Sequence, residues 1–180
     1  MLRVTIPATE LWDEKTKTFI YMKEQTLQLE HSLVSLSKWE SKWRKSFIET
    51  KKKTTEEALD YIKCMTLTQN VKPEVYRCLT EDIVKQVADY IDAPMTATKV
   101  PKQKGGKHNR EIITSELIYH WMIETQVPFE CQKWHLNRLI ALIEVRQYKL
   151  QPPKKKSRGE LIAQYAAMNE ANKKALNTTG

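Results

Sequence analysis

The stretch from Val127 to Lys156, VPFECQKWHLNRLIALIEVRQYKLQPPKKK, constrains this chain more than any other. At about 3.6 residues per turn, Trp134, Leu136, Leu139, Ile140, Leu142, Ile143 and Val145 spread over most of a helical wheel. Lys133, Asn137 and Glu144 leave only a narrow polar stripe. A helix apolar nearly all round belongs in a core or an assembly interface. Pro152 and Pro153 then stop it, because proline lacks the amide donor and its ring collides with the preceding turn. Lys154, Lys155 and Lys156 follow at once. The layout this predicts is a helical body over residues 1–150 and a basic helical arm over residues 151–180.

Charge sharpens that division. The net charge is +8 over 180 residues, and residues from Lys149 onward carry seven basic and two acidic side chains, a net +5. Basic arms meet nucleic acid, acidic protein surfaces or only water. Five Trp and seven Tyr supply large burial units, enough for a core without covalent staples. Cys64, Cys78 and Cys131 are odd in number and widely spaced, which gives no disulfide framework and suits a reducing compartment. No segment approaches the roughly 20 apolar residues needed to span a bilayer. The opening MLRVTIPATELWDE lacks the apolar run of a signal peptide. A soluble protein of the cytoplasm, without membrane contact, is the expectation.

Periodicity predicts a mainly α chain with a small N-terminal β-hairpin or three-strand element. Leu2 to Ile6, Phe19 to Tyr21 and Thr26 to His31 are β-prone, although Gln25 to Glu30 also contains good helix formers. Ser32 is placed to cap a helix carrying Leu33, Leu36, Trp39, Trp43 and Phe47. Thr54 and Glu57 offer a capping box for the next helix. Pro73 suits a first turn, Thr80 caps Glu81 to Ile91, and Ser115 caps a helix with Leu117, Ile118, Trp121 and Met122 inward. Residues 93–110 form one long irregular segment, charged by Lys99, Lys102, Lys104, Lys107 and Arg110. Ser157 and Glu160 resemble a capping box for an arm helix with a thin stripe of Leu161, Tyr165, Met168 and Leu176. The expected core includes Trp39, Trp43, Trp121, Trp134, Leu139 and Ile143.

Chemistry-bearing patterns are sparse. Cys131 and His135 lie four apart, so both suit one face of a helix, but a zinc site needs two further ligands and His120 is the only near one. An imidazole packed beside an inert thiol is the simpler account. Gly105-Gly106-Lys107 lacks the strand, spacing and Ser/Thr of a phosphate loop. There is no nucleophile elbow or dinucleotide fingerprint, so no catalysis, metal or cofactor is expected. Lys51 to Lys53, the loop of residues 93–110, and Lys154 to Arg158 are basic, yet no helix-turn-helix or aromatic-basic motif accompanies them. Nucleic acid is therefore not favoured as a partner. Arg138 falls among apolar wheel positions, where its guanidinium needs a carboxylate or a route to water.

LQLEHSLVSLSKWESKW (Leu27 to Trp43), APMTAT (Ala93 to Thr98), FECQKWHLNRL (Phe129 to Leu139) and PPKKK (Pro152 to Lys156) resemble a group of small phage proteins of the tail-morphogenesis region, the tail assembly chaperones. The resemblance implies a factor of the host cytoplasm that coats the tape measure protein until tube subunits polymerise around it. Under it, the partner-binding residues are Leu161, Tyr165, Met168 and Leu176 with Lys154, Lys155, Lys156 and Arg158. A homo-oligomer is compatible with that role. Two other classes stay open: a virion structural component, such as a connector or tail-completion protein, and a basic nucleic-acid-binding accessory protein.

Overall fold

The computed structural model describes residues 1–13, 17–98, 111–150 and 158–176. The chain forms two compact units, Met1–Lys149 and Leu150–Gly180. Helices take 58% of the described residues, with a small antiparallel strand set at the N-terminus. The mainly α class and the N-terminal β element predicted from periodicity are both present.

The β element is larger than one hairpin or three strands. β1 (Leu2–Ile6) pairs with β4 (Gln25–Leu29), and β2 (Thr9–Asp13) pairs with β3 (Thr18–Met22), both antiparallel. The inner pair is thus inserted between the partners of the outer pair, as a separate two-stranded sheet. Burial explains why Gln25–Leu29 is a strand despite its helix formers. Val4, Ile6, Leu27 and Leu29 are buried on one face, and Val4 sits opposite Leu27 in the register. Period two puts Leu27 and Leu29 on that face together, whereas a helix would turn them apart.

Past β4 the chain is held on several sides. Glu30 donates its N–H to the Met65 carbonyl at 2.9 Å, and Leu67 donates to the Gln28 carbonyl at 2.8 Å. The His31 carbonyl accepts from the Leu136 N–H at 2.7 Å. Ser32 then caps α1 (Leu33–Trp43) through a reciprocal exchange with Ser35, and Arg44 ends it at φ 53°. Thr54 and Glu57 form the expected box on α2 (Thr55–Met65).

The two helices lock through indoles and carboxylates. Trp39 Nε1 donates to the Glu57 carbonyl and Trp43 Nε1 to Asp60 Oδ2, each at 2.9 Å. Lys45 Nζ reaches Glu57 Oε1 at 2.8 Å, and Lys42 pairs with Asp60. A proline-led 3-10 turn (Pro73–Cys78) precedes α3 (Glu81–Asp92), which Thr80 caps. α4 (Ser115–Glu124) is capped by Thr114 and not by Ser115. Ser115 is instead buried, and its amide donates to Glu40 Oε2.

α5 (Leu136–Leu150) departs from the wheel. Only Leu136, Leu139 and Ile143 are buried, and Ile140, Leu142 and Val145 are half-covered. The helix therefore packs along one stripe, with apolar flanks partly in water. Its polar stripe is not all solvated, because Asn137 Nδ2 donates to the Ile91 and Ala93 carbonyls at 3.0 and 2.8 Å and closes the end of α3. Of the expected core, Trp39, Leu139 and Ile143 are buried, and Trp43 and Trp121 pack half-buried against it. Trp134 is a correction. It precedes α5 and is 37% exposed, with the Arg138 guanidinium over its ring at 4.4 Å in place of a core contact. Arg138 is exposed, so stacking and water meet its needs without burial. The second unit contributes α6 (Arg158–Leu176).

Glu40 is the buried carboxylate that joins α1 to the segment after it and to α4. Its Oε1 accepts from the Phe47 N–H at 2.9 Å and its Oε2 from the Ser115 N–H at 2.7 Å. Replacing Glu40 with Ala strands two buried amides and is expected to cost about 2–4 kcal/mol in urea unfolding, with Glu40→Gln costing less. A loss within error for Glu40→Ala would show that water replaces the carboxylate.

Candidate functional site

α6 presents its large apolar side chains to solvent. At about 100° per residue, Leu161, Ile162, Tyr165, Met168 and Leu176 fall within an arc of roughly 120°, which Asn169 and Asn172 share. Their exposure runs from 39% at Leu161 to 73% at Leu176. Ile162 extends the predicted stripe. Its place beside Leu161 widens the arc, a signal the three-and-four spacing passes over. Arg158 opens the helix and is exposed. Lys154, Lys155 and Lys156 lie outside the described residues, as do Lys99, Lys102, Lys104, Lys107 and Arg110.

A second apolar surface, unforeseen in the sequence, lies on the inner hairpin. Trp12 and Phe19 face each other across β2 and β3 with ring centroids 4.9 Å apart. Tyr21 lies two residues from Phe19 on the same face, and all three rings are exposed. The opposite face, with Leu11, Ile20 and Met22, is turned inward. Strand alternation in TELWD and TFIYM carries that signal.

The candidate ligand pair Cys131 and His135 is otherwise engaged. His135 is buried, its Nε2 lies 2.9 Å from the Tyr90 carbonyl, and its Nδ1 accepts from the Asn137 N–H at 3.3 Å. Both ring nitrogens thus have protein partners. Burial raises the Cys131 thiol above its usual pKa and keeps it protonated. His120 sits on the surface with Glu124, 3.4 Å away. Among the described residues no three His, Cys, Asp or Glu gather as metal ligands.

His31 is the titratable group the sequence left unremarked. Only 3% exposed, it contacts the Tyr61 hydroxyl through Nδ1 at 2.5 Å, and its ring lies 5.1 Å from that of His135. Burial first, and then the neighbouring His135, lower its pKa from 6.5 to about 3. It lines a cleft together with Phe47, Ile48, Lys53, Ile91 and Ile140. Lys53 is half-buried there, with Nζ 3.9 Å from the centre of the Phe47 ring, and burial pulls its pKa below the usual lysine value.

A histidine that stays neutral when folded but protonates when unfolded ties stability to pH. Its contribution is fully present above pH 6.5 and is lost as pH falls toward 3. The unfolded chain binds the extra proton across that window, so the slope reaches at most about 1.4 kcal/mol per pH unit. Urea unfolding between those limits is expected to weaken more steeply for the native chain than for His31→Gln. Parallel slopes would mean that His31 is not held neutral.

No family model, curated protein or solved structure matches this chain, so its own side-chain geometry carries the functional argument.

Proposed function

We propose that this chain is a phage tail assembly chaperone, a non-catalytic factor that binds the tape measure protein and keeps it soluble during tail tube assembly. The observation that carries this is the exposed apolar arc of α6, described above. Sequence strings resembling the tail assembly chaperones support it, and the same arc supplies a physical mode. A long amphipathic ruler aggregates when bare, and a helix with an apolar arc covers such a client helix by side-to-side docking. Met168 and Tyr165 suit many non-identical client segments, because thioether and phenol side chains adapt their packing. Weak contacts repeated along the ruler add up through avidity. The client's site is therefore Leu161, Ile162, Tyr165, Met168 and Leu176, with Arg158 at its start. Among the described residues no helix is long and apolar enough to cross a membrane, which is compatible with a site of action in the host cytoplasm.

Leu161, Tyr165 and Met168 replaced together by Gln keep helix propensity while removing the arc. Each large apolar side chain contributes about 1.5–3 kcal/mol when fully buried, so affinity for a tape measure fragment is expected to fall roughly 100-fold or more. Coexpressed fragment then moves from the supernatant to the pellet, while circular dichroism of the variant is unchanged. A fragment that stays equally soluble would overturn the chaperone role. Finding the protein in purified virions at fixed copy number would favour a connector or tail-completion protein. DNA affinity falling steeply with salt would favour the nucleic-acid class.

A further inference from the structure

The cleft beside His31 has the makings of a small-molecule site. It measures about 630 Å³ and opens between the segment after α1, the end of α3 and the start of α5. Ligand pockets fall in the range of roughly 300–1,000 Å³. Ile48, Ile91 and Ile140 supply apolar walls, and the Asn137 bonds to the Ile91 and Ala93 carbonyls fix two of those walls against each other.

His31 and Lys53 are both part of the cleft's lining. His31 holds the Tyr61 hydroxyl through Nδ1. Phe47 separates this imidazole from Lys53: the ring centroids of His31 and Phe47 are 6.4 Å apart, and Lys53 Nζ lies over the Phe47 ring. One Lys53 proton is spent on the Thr50 carbonyl at 2.8 Å, which positions the ammonium and leaves two donors. Such a partly dehydrated cation gains more from an anion than one in bulk water. Lys51 and Asp92 also line the cleft, so with Lys53 the charge there is one net positive. That balance suits a single negative charge better than a polyphosphate.

We propose that the cleft binds a small amphipathic monoanion, a carboxylate with an apolar body. The carboxylate lies at Lys53 Nζ, and the body lies along Ile48, Ile91 and Ile140. The charged Lys53 donors set orientation, while the isoleucines supply apolar contact without fixing chain length. This site stands independently of any role for α6.

Octanoate, octylammonium and 1-octanol, each titrated into the full chain, separate charge from greasiness. Isoleucine methyl and histidine ring signals in NMR locate the contact. Octanoate is expected to shift Ile48, Ile91, Ile140 and His31, with octylammonium and octanol much weaker. Lys53→Gln is expected to weaken octanoate about tenfold. Ile140→Trp, which fills the cleft from an exposed-side wall, is expected to abolish the shifts. Thermal melts confirm that both variants are folded. Equal shifts from octanoate and octylammonium would reduce the cleft to a greasy groove and overturn the proposal. So would His31 signals that stay fixed at saturating octanoate, or native affinity in a folded Lys53→Gln.

Discussion

The backbone from Gln28 to Ser32 is hydrogen-bonded on every side, and the body is arranged around it. β1 holds one edge through the Leu2 to Leu29 register. The chain leaving α2 holds the other edge, through Met65 and Leu67. The His31 carbonyl takes the first amide of α5, and Ser32 lies in a bridge with His135. A central strand segment must satisfy both edges, since a buried backbone group left unpaired costs as much as a lost hydrogen bond. Here three sequence-distant segments meet that demand. Leu27, Leu29 and Leu33 are each 0% exposed, so apolar burial and backbone pairing coincide on the same few residues. The closeness of His31 and His135 follows directly from this junction.

Around the junction, buried charge is spent on joining elements. Glu40, Glu57 and Asp60 are all buried, and each is matched by donors from another segment. Glu40 is the most demanding, because both of its partners are backbone amides. One of them, Ser115, opens α4, where the helix dipole also favours a negative charge. Desolvating a carboxylate is costly, and the cost is offset only when donors fill its lone pairs. No fully buried side-chain oxygen or nitrogen among the described residues is left unpaired. The polar latches therefore specify which helix meets which, while the indoles of Trp39 and Trp43 add hydrogen bonds to bulk.

Local signals in the sequence are readable where one residue type answers one local need. Ser32, Thr54 and Thr80 cap helices because a short side-chain oxygen satisfies an orphan amide, and Pro73 starts a turn because its missing donor is not needed there. Tertiary demands are not readable. Ser115 has the chemistry of a cap, but Thr114 takes that role because Glu40 claims the Ser115 amide. α5 is apolar nearly all round on the wheel, yet the body offers it one stripe of contact. Trp134 has the bulk of a core residue, and a neighbouring guanidinium shelters it instead. The stripe on α6 is legible from spacing. The cleft is not, since His31, Phe47, Lys53 and Ile140 are brought together only by the fold.

α6 and the cleft follow opposite physical rules, and the difference bears on how each would bind. The cleft is walled by elements that are cross-bonded without any ligand, so little free energy goes into organising it around a guest. α6 is a helix of 19 residues whose described side chains are all exposed. Alanines at 163, 166, 167, 171 and 175 favour the helix by propensity alone. Propensity alone leaves helices of this length marginal in water, because most helical stability in proteins comes from burying one face. A partner that covers the arc of Leu161, Tyr165 and Met168 would supply that missing burial. Binding and helix stability are then one equilibrium, in which part of the contact energy orders the helix. Affinity per contact would be lowered in consequence, and many different segments would be accepted, as the proposed chaperone role requires.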